Sequence, residues 1–185
     1  MKHLQNWPAG FNTKLVAVIQ GDFQVSSDPA VALSTILGSC ASVCLFDPDS
    51  GLGGMNHYLL ADSDQSGSVS LKYGAHAMEL LINSLLKMGA ARHRLKAKVF
   101  GGGLITGRFD YIGPRNTKFA LQYLEDEGIP VISQDIGGNA ARRLNFHPPT
   151  GQVRITYTQT KTDPAMRHPP KPAAPTKPTT SPILF

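Results

Sequence analysis

The chain has 185 residues, with 18 lysines and arginines against 13 aspartates and glutamates and a formal net charge of +5. This length favours one domain with a hydrophobic core over two small domains. The basic residues are scattered and form no stripe with stacking aromatics, which argues against nucleic-acid binding, whereas mild positive charge suits an acidic protein partner. We find no signal-peptide pattern and no apolar run of about 18 residues, so we expect a cytoplasmic protein without membrane insertion.

Short apolar runs that are rich in β-branched residues and bounded by turn residues predict β-strands. Residues 1–13 precede the first run and predict an irregular N-terminal arm. In chain order, the predicted strands are Leu15–Gln20, Phe23–Ser26, a hairpin of Ser42–Asp47 with Leu52–Leu60, Leu95–Phe100, Ile129–Ser133, and a final hairpin of Arg142–Phe146 with Gln152–Thr158.

Two helices are predicted between these strands. Apolar residues at helical spacing predict a helix over Lys72–Met88, with Gly89 as its stop. A second helix is predicted over Pro114–Glu127 and ends at Gly128. The segment Asp62–Ser70 is rich in Ser, Asp and Gly and predicts a mobile loop.

The composition changes from about Thr162 onward. Half of the 14 prolines lie in residues 162–185, where they are interspersed with Ala, Thr and Lys. Such a segment cannot build a core, and it predicts a disordered, proline-rich tail with the apolar tip Ile183-Leu184-Phe185. We therefore expect one folded domain over residues 14–161.

The chain has only two cysteines, and one of them belongs to the first predicted hairpin together with a histidine. If Asp47 pairs with Leu52 across the turn, Ser42 lies opposite His57. Cys40 and His57 are then diagonal neighbours on one face, about 7–8 Å apart at the backbone. A one-residue slip would place them on opposite faces. A bulge at Gly53-Gly54 is the alternative that would produce such a slip.

A thiol beside an imidazole is the minimum apparatus for nucleophilic attack on an acyl group, because the imidazole removes the thiol proton and leaves a thiolate. Cys40 follows Gly38-Ser39 at the entry to a strand, where backbone amides can point toward a ligand. Cys44 lies in the middle of the predicted strand and is the better candidate for an inert core thiol. The alternative that Cys40 is also a small buried apolar side chain without a catalytic role stays open.

A third residue would orient the imidazole in such a site. The candidates are the hydroxyls of Ser34 and Thr35 upstream of Cys40 and the carboxylate of Asp135, and the sequence does not choose between them. The other histidines lack Cys or acidic companions at metal-ligand spacing, so we expect no metal. The run Gly101–Gly103 lacks the spacing of a phosphate-binding loop and indicates close backbone packing.

Several motifs occur together in a characteristic order between Leu15 and Thr158. They are Leu37-Gly38-Ser39-Cys40, Asp47-Pro48, Gly54-Met55-Asn56-His57, Lys72-Tyr73-Gly74, Val99-Phe100-Gly101-Gly102, Ile112-Gly113, Arg115-Asn116, Asp135-Ile136-Gly137-Gly138, Arg142-Arg143 and Thr150-Gly151. In these residues the chain resembles the chemoreceptor glutamine deamidases of bacterial chemotaxis, the CheD family.

The resemblance implies an α/β fold of stacked mixed β-sheets with flanking helices, similar to the catalytic domain of cytotoxic necrotizing factor toxins. It implies a protein-glutamine glutaminase without a cofactor, in which Cys40 and His57 are catalytic. From the chemistry of the strand entry, we expect the backbone amides of Ser39 and Cys40 to hold the oxyanion. The family's third residue is a threonine, which Thr35 matches by type and Ser34 by spacing. The implied partners are the cytoplasmic helices of chemoreceptors and a CheC-type phosphatase.

Two rival hypotheses remain beside the deamidase. The first is an adaptor without catalytic activity that binds chemoreceptors or a CheC-type phosphatase. The second, less favoured, is a transglutaminase or peptidase that uses the same thioester chemistry. The presence of Cys40, His57 and Thr35 favours the deamidase, because an adaptor would not need these residues.

Overall fold

The computed structural model describes residues 14–60, 68–105 and 111–158. In chain order its elements are β1 (Lys14–Ala17), β2 (Phe23–Ser26), β3 (Val31–Leu37), β4 (Ala41–Asp47), β5 (Leu52–Asn56), α1 (Ser68–Lys87), β6 (Lys96–Gly101), α2 (Ile112–Asp126), β7 (Val131–Ile136), β8 (Ala141–His147) and β9 (Gln152–Thr158). Two short 3-10 turns lie at Arg92–Arg94 and Pro148–Thr150.

The strands form two mixed sheets. One sheet has the order β1-β3-β8-β9 and the other β2-β5-β4-β6-β7. The pairs β1 with β3 and β6 with β7 are parallel, and the remaining pairs are antiparallel. Helices α1 and α2 cover one face of the five-stranded sheet, and the four-stranded sheet covers the other. The predicted α/β fold of stacked mixed sheets with flanking helices is confirmed, with both helices on one side.

Strand β4 lies in the centre of this stack, and all seven of its residues are buried. Val43 and Leu45 pack against the helices, while Cys44 and Phe46 pack toward the four-stranded sheet. A strand that is covered on both faces reads as a continuous apolar run rather than as an alternating one. This burial accounts for the sequence Ser-Val-Cys-Leu-Phe.

The predicted hairpin register is confirmed. Asp47 lies opposite Leu52 and Cys44 opposite Met55, and a bridge between Ala41 and Tyr58 continues the same register beyond the end of β5. No slip occurs at Gly53-Gly54. These glycines serve close packing instead, because a Cβ on Gly54 would lie 2.7 Å from side-chain atoms on both α1 and β2.

Several predicted boundaries are wrong by a few residues. Helix α1 begins at Ser68, so the end of the predicted loop Asp62–Ser70 is helical, and the rest of that loop lies outside the described residues. Strand β7 ends at Ile136 rather than at Ser133, because it follows β6 in parallel as far as Gly101. The predicted arm 1–13 and tail 162–185 also lie outside the described residues.

Strand β1 is shorter than predicted and ends at Ala17 rather than at Gln20. The carbonyl of Val18 accepts a hydrogen bond from the side chain of Thr35. The amide of Val18 still donates to the Ser34 carbonyl on β3. The segment from Val18 to Gln20 lines a cavity together with His57. Among the described residues, no helix has the length and apolarity to cross a membrane.

Candidate active site

His57 and Thr35 meet between the two sheets. Thr35 lies on β3 of the four-stranded sheet, and His57 follows β5 of the five-stranded sheet. The Oγ1 of Thr35 lies 2.9 Å from Nδ1 of His57. Both residues are buried, with His57 7% and Thr35 6% exposed. The stacking of the sheets thus brings together two side chains that are 22 positions apart in sequence.

The hydrogen bonds of this pair determine the tautomer of the imidazole. The hydroxyl of Thr35 donates to the carbonyl oxygen of Val18 at 2.8 Å, so its oxygen is an acceptor toward the ring. The same carbonyl oxygen lies 3.3 Å from Nδ1 of His57. Because both neighbours of Nδ1 are acceptors, Nδ1 carries the proton. Nε2 is then the basic nitrogen, and it is buried without a hydrogen-bond partner among the described residues.

Cys40 lies on the same face of the five-stranded sheet as His57. The confirmed register places His57 opposite Ser42, two residues from Cys40 along the strand, and alternate residues share a face. Cys40 packs against the apolar cluster between the sheets, which includes Cys44 and Met55. This is the diagonal arrangement that the sequence predicts.

Burial determines the charge state of both groups. It raises the pKa of the Cys40 thiol above its ordinary value, although the residue's own amide N–H partly opposes this shift. Burial also lowers the pKa of His57, against the opposing effect of the Val18 carbonyl. At neutral pH the resting pair is therefore a thiol and a neutral imidazole rather than a thiolate–imidazolium pair.

Gln20 is a neighbour of Cys40 that the sequence reasoning missed. The thiol of Cys40 donates to Oε1 of Gln20 at 3.2 Å. Gln20 also lines an open cavity of about 350 Å³, together with Thr35 and His57. Cys40 itself is not a lining residue and contacts the rim of the cavity through Gln20. No sequence pattern marks Gln20, which the sequence predicts only as the end of a strand.

The backbone before Cys40 is held from one side. The carbonyl oxygens of Gly38 and Cys40 accept hydrogen bonds from the amides of Gly103 and Gly102, each at 2.8 Å. Gly102 has a φ of +66°, which favours glycine, and a Cβ on it would lie 2.5 Å from the Thr117 side chain. The glycine run predicted to serve close packing thus holds the loop that carries the thiol.

The other candidates for a third residue form their hydrogen bonds with other partners, although Ser34 lines the same cavity as Thr35 and His57. The hydroxyl of Ser34 donates to Oδ1 of Asn145 at 2.7 Å, within its own sheet. Asp135 is paired with Arg142 and accepts a hydrogen bond from the Tyr157 hydroxyl at 2.5 Å. Of the three candidates, the structure brings only Thr35 to His57.

Cys44 is fully buried in the apolar cluster between the sheets, and burial raises its thiol pKa well above the ordinary range. This environment matches the inert core thiol that the sequence predicts. Among the described residues, no three His, Cys, Asp or Glu side chains are grouped so that they could hold a metal ion.

Comparison with known proteins places the chain in a family. The family model described as CheD chemotactic sensory transduction matches residues 59–157. A protein of Ruegeria sp. (strain TM1040), named probable chemoreceptor glutamine deamidase CheD 1, is 53% identical over 146 residues, or 79% of this chain and 78% of that protein. This chain belongs to the CheD family. A further CheD relative, the probable chemoreceptor glutamine deamidase CheD of Rhizobium leguminosarum bv. trifolii (strain WSM2304), is 49% identical over 92% of this chain and 95% of that protein.

The CheD family model begins after His57, so its match assigns no role to Cys40 or His57. Solved structures also match, among them two bacterial proteins. One is a Neisseria meningitidis protein of the family DUF152, with a TM-score of 0.44 and 12% identity over 69% of this chain and 64% of that chain. The other is a Bacillus licheniformis hypothetical protein, with a TM-score of 0.40 and 15% identity over 68% and 60%. Neither is the cytotoxic necrotizing factor domain, and that comparison stays a prediction.

Proposed function

We propose that this CheD protein hydrolyses glutamine side chains of chemoreceptors to glutamate and ammonia, with Cys40 as nucleophile and His57 as general base and acid. One observation carries the proposal. The Nδ1–H of His57 is directed to Thr35 and Val18, which leaves the Nε2 lone pair free on the sheet face that also carries Cys40. The names of the CheD relatives supply the substrate class.

The reaction begins with a proton transfer. Nε2 of His57 takes the thiol proton as Sγ of Cys40 attacks the carbonyl carbon of the glutamine side chain. The oxygen of the tetrahedral intermediate accepts hydrogen bonds from the backbone amides of Ser39 and Cys40. The imidazolium then returns its proton to the amide nitrogen, the C–N bond breaks, and ammonia leaves behind a thioester.

Water completes the cycle. Nε2 of His57 takes a proton from a water molecule, whose oxygen attacks the thioester carbon. The C–S bond breaks, and the proton returns to the thiolate of Cys40. Each turnover converts a neutral side chain of the receptor into a carboxylate, which adds one negative charge to a receptor helix. We place this reaction in the cytoplasm, where a free thiol stays reduced.

The test is the mass change of a receptor cytoplasmic fragment incubated with the full-length protein, together with ammonia release. We expect conversion of amide to acid with the wild type, none with Cys40→Ala, and substantial activity with the matched control Cys44→Ala. His57→Ala is expected to lose at least about 10²-fold in rate. Activity in Cys40→Ala combined with inactivity in Cys44→Ala would overturn the nucleophile assignment.

The same experiment separates the rival functions. We retain a CheC-type phosphatase as a proposed partner on family resemblance. If the protein were an adaptor, the wild type and Cys40→Ala would bind receptors or such a phosphatase equally well, and neither would release ammonia. A transglutaminase would leave a crosslink, and a peptidase would cleave the backbone. Release of ammonia with glutamate as the product belongs to the deamidase alone.

A further inference from the structure

We propose that Asn116 is a positioning residue for the oxyanion site, acting by holding the carbonyl of Ser39 so that the amide of Cys40 faces the substrate oxygen. The reaction that this oxyanion site would serve is the one under the proposed function, so the inference rests on that function. The sequence assigns no role to Asn116. In the sequence, Asn116 occurs only as part of a family motif inside a predicted helix. Asn is a poor residue for a helix interior, and this was the one local signal that it serves another purpose.

Asn116 is fully buried on α2, and both hydrogens of its side-chain amide donate hydrogen bonds. Its Nδ2 donates to the Ser39 carbonyl at 2.9 Å and to the Ile112 carbonyl at 3.0 Å. Its Oδ1 accepts from the amide of Leu60 at 2.7 Å. The carboxamide cannot be flipped, because its oxygen would then face two carbonyl oxygens. Both ends of the group are therefore fixed.

The contact with Ser39 determines the direction of the next amide. A trans peptide unit is planar, and its C=O and N–H point in opposite directions. No cis peptide bond occurs among the described residues. Because the Ser39 carbonyl points to α2, the N–H of Cys40 points away from α2. The Gly38 carbonyl points to Gly103, so the N–H of Ser39 is likewise turned away from the glycine run.

Among the described residues, neither of these two amides donates to a backbone carbonyl. The Cys40 N–H interacts with the thiol of its own residue, so it lies beside the reacting sulfur. Two adjacent N–H groups beside the thiol are the donors that a tetrahedral oxyanion requires. The carbonyls of Gly38 and Cys40 are held by the main-chain amides of Gly103 and Gly102. Only a proline substitution would remove such an amide, and proline would also constrain the backbone there. The Ser39 carbonyl is the one in this loop that is held by a side chain, so Asn116 is the position at which the geometry can be tested.

The test compares two reactions of the same thiol in the full-length protein. Acylation of Cys40 by p-nitrophenyl acetate passes through an oxyanion, whereas alkylation by iodoacetamide is a displacement at carbon without one. Asn116→Asp keeps the shape and the acceptor for Leu60 but replaces the donor to Ser39 with a carboxylate oxygen. We expect acylation to slow by about 10-fold to 100-fold, somewhat below the loss of an oxyanion donor itself, while the alkylation rate is unchanged.

Matched controls separate positioning from a general loss of structure. Asn145→Asp introduces the same change at a half-buried site on β8 and is expected to leave both rates unchanged. Asn116→Ala removes the donor without adding a charge and should show the same selective loss if Asn116→Asp does not fold, as judged by thermal melting. If both rates fall together, or if neither falls, the proposal is overturned.

The outcome is distinguishable from failure of the proposed function. If the wild type does not deamidate receptor fragments, that function fails, yet selective slowing of ester acylation in Asn116→Asp would still support the positioning role. If the wild type does deamidate them, Asn116→Asp should lower kcat with little change in KM. A change in KM alone would count against the inference, since an oxyanion site acts on the transition state.

Discussion

At the scale of single residues, the site depends on the opposite ends of one imidazole. Nδ1 of His57 faces two acceptors, and Nε2 faces none among the described residues. The carbonyl of Val18 and the hydroxyl of Thr35 thus fix a tautomer in which Nε2 is the base. Burial keeps this base and the thiol of Cys40 uncharged at neutral pH, so the proton moves only when the substrate is attacked.

The pKa of His57 predicts the acid side of the pH–rate profile. Protonated His57 cannot accept the thiol proton, so activity is lost as pH falls through the pKa of the folded protein. Because burial lowers that pKa, the acid limb of kcat/KM should lie below the ordinary histidine value of about 6.5. Steady-state rates measured across pH on a receptor fragment check this. An acid limb at or above the ordinary value would contradict the proposed resting state.

At the scale of elements, strand β3 selects the residue that contacts the imidazole. Successive side chains on a strand point to opposite faces. Thr35 points toward the five-stranded sheet and His57, whereas Ser34 bonds to Asn145 on β8 of the same sheet. The choice that the sequence left open between adjacent hydroxyl residues is therefore decided by which face of β3 meets the other sheet.

This alternation predicts an asymmetry between two small substitutions. Thr35→Ala removes the hydrogen bond to His57 and should lower kcat about fivefold to tenfold, as expected for loss of a bond worth about 1 kcal/mol. Ser34→Ala should have a smaller effect on kcat, since its partner lies away from the imidazole. Both variants are compared with the wild type by ammonia release. A larger loss in Ser34→Ala would move the orienting role to Ser34.

The end of β4 is anchored by an ion pair that predicts acid sensitivity. The Asp47 side chain is buried and accepts hydrogen bonds from Arg94 and from the Ala91 amide. Arg94 is the main cause of a pKa of Asp47 well below its ordinary value. A carboxyl group whose pKa is lowered by folding stabilises the folded state at pH values above the pKa of unfolded aspartate, about 3.9. This stabilisation is lost as the pH falls below that value toward the lower pKa of the folded protein.

Asp47→Asn should therefore have a lower free energy of unfolding than the wild type at neutral pH. This gap in unfolding free energy should narrow as the pH falls below the pKa of aspartate in the unfolded chain. Urea denaturation of both proteins at a series of pH values measures the gap. Asp49→Asn is the matched control, since Asp49 is exposed and lies near the same arginine. A gap that stays constant with pH would contradict the linkage.

At the scale of the whole molecule, β9 is the last element that the structure describes in the stack of helices, five-stranded sheet and four-stranded sheet. That strand pairs with β8 along its full length, from Gln152 opposite His147 to Thr158 opposite Ala141. The described core residues all precede the proline-rich segment. The predicted boundary after residue 161 therefore leaves every described sheet pairing intact.

Truncation after Lys161 tests this boundary. Because residues 162–185 are rich in proline and have no periodic apolar face, their removal should leave the melting temperature and the activity on an isolated receptor fragment unchanged. Thermal unfolding and ammonia release are measured on the full and truncated proteins. A marked fall in melting temperature would mean that the tail packs on the domain, and the predicted boundary would be wrong.

The sequence by itself determined the features that depend on near neighbours. The hairpin register that places Cys40 and His57 on one face is the one expected from a short turn between two apolar runs, and the structure excludes the slip that the sequence leaves open. Helix α1 is predicted from apolar residues at helical spacing, which include Met78 and Leu85, and both of these residues are buried. Local turn geometry and side-chain periodicity act over a few residues, so the chain order alone encodes them.

The tertiary structure decided the contacts that join distant segments. Thr35 meets His57 because the two sheets stack, and Cys40 contacts Gln20, which lies beyond the end of β1 and 20 positions away in sequence. Asn116 reaches Ser39 across a separation of 77 positions. Such contacts depend on how whole elements pack against one another, and no pattern within a single strand or helix specifies them.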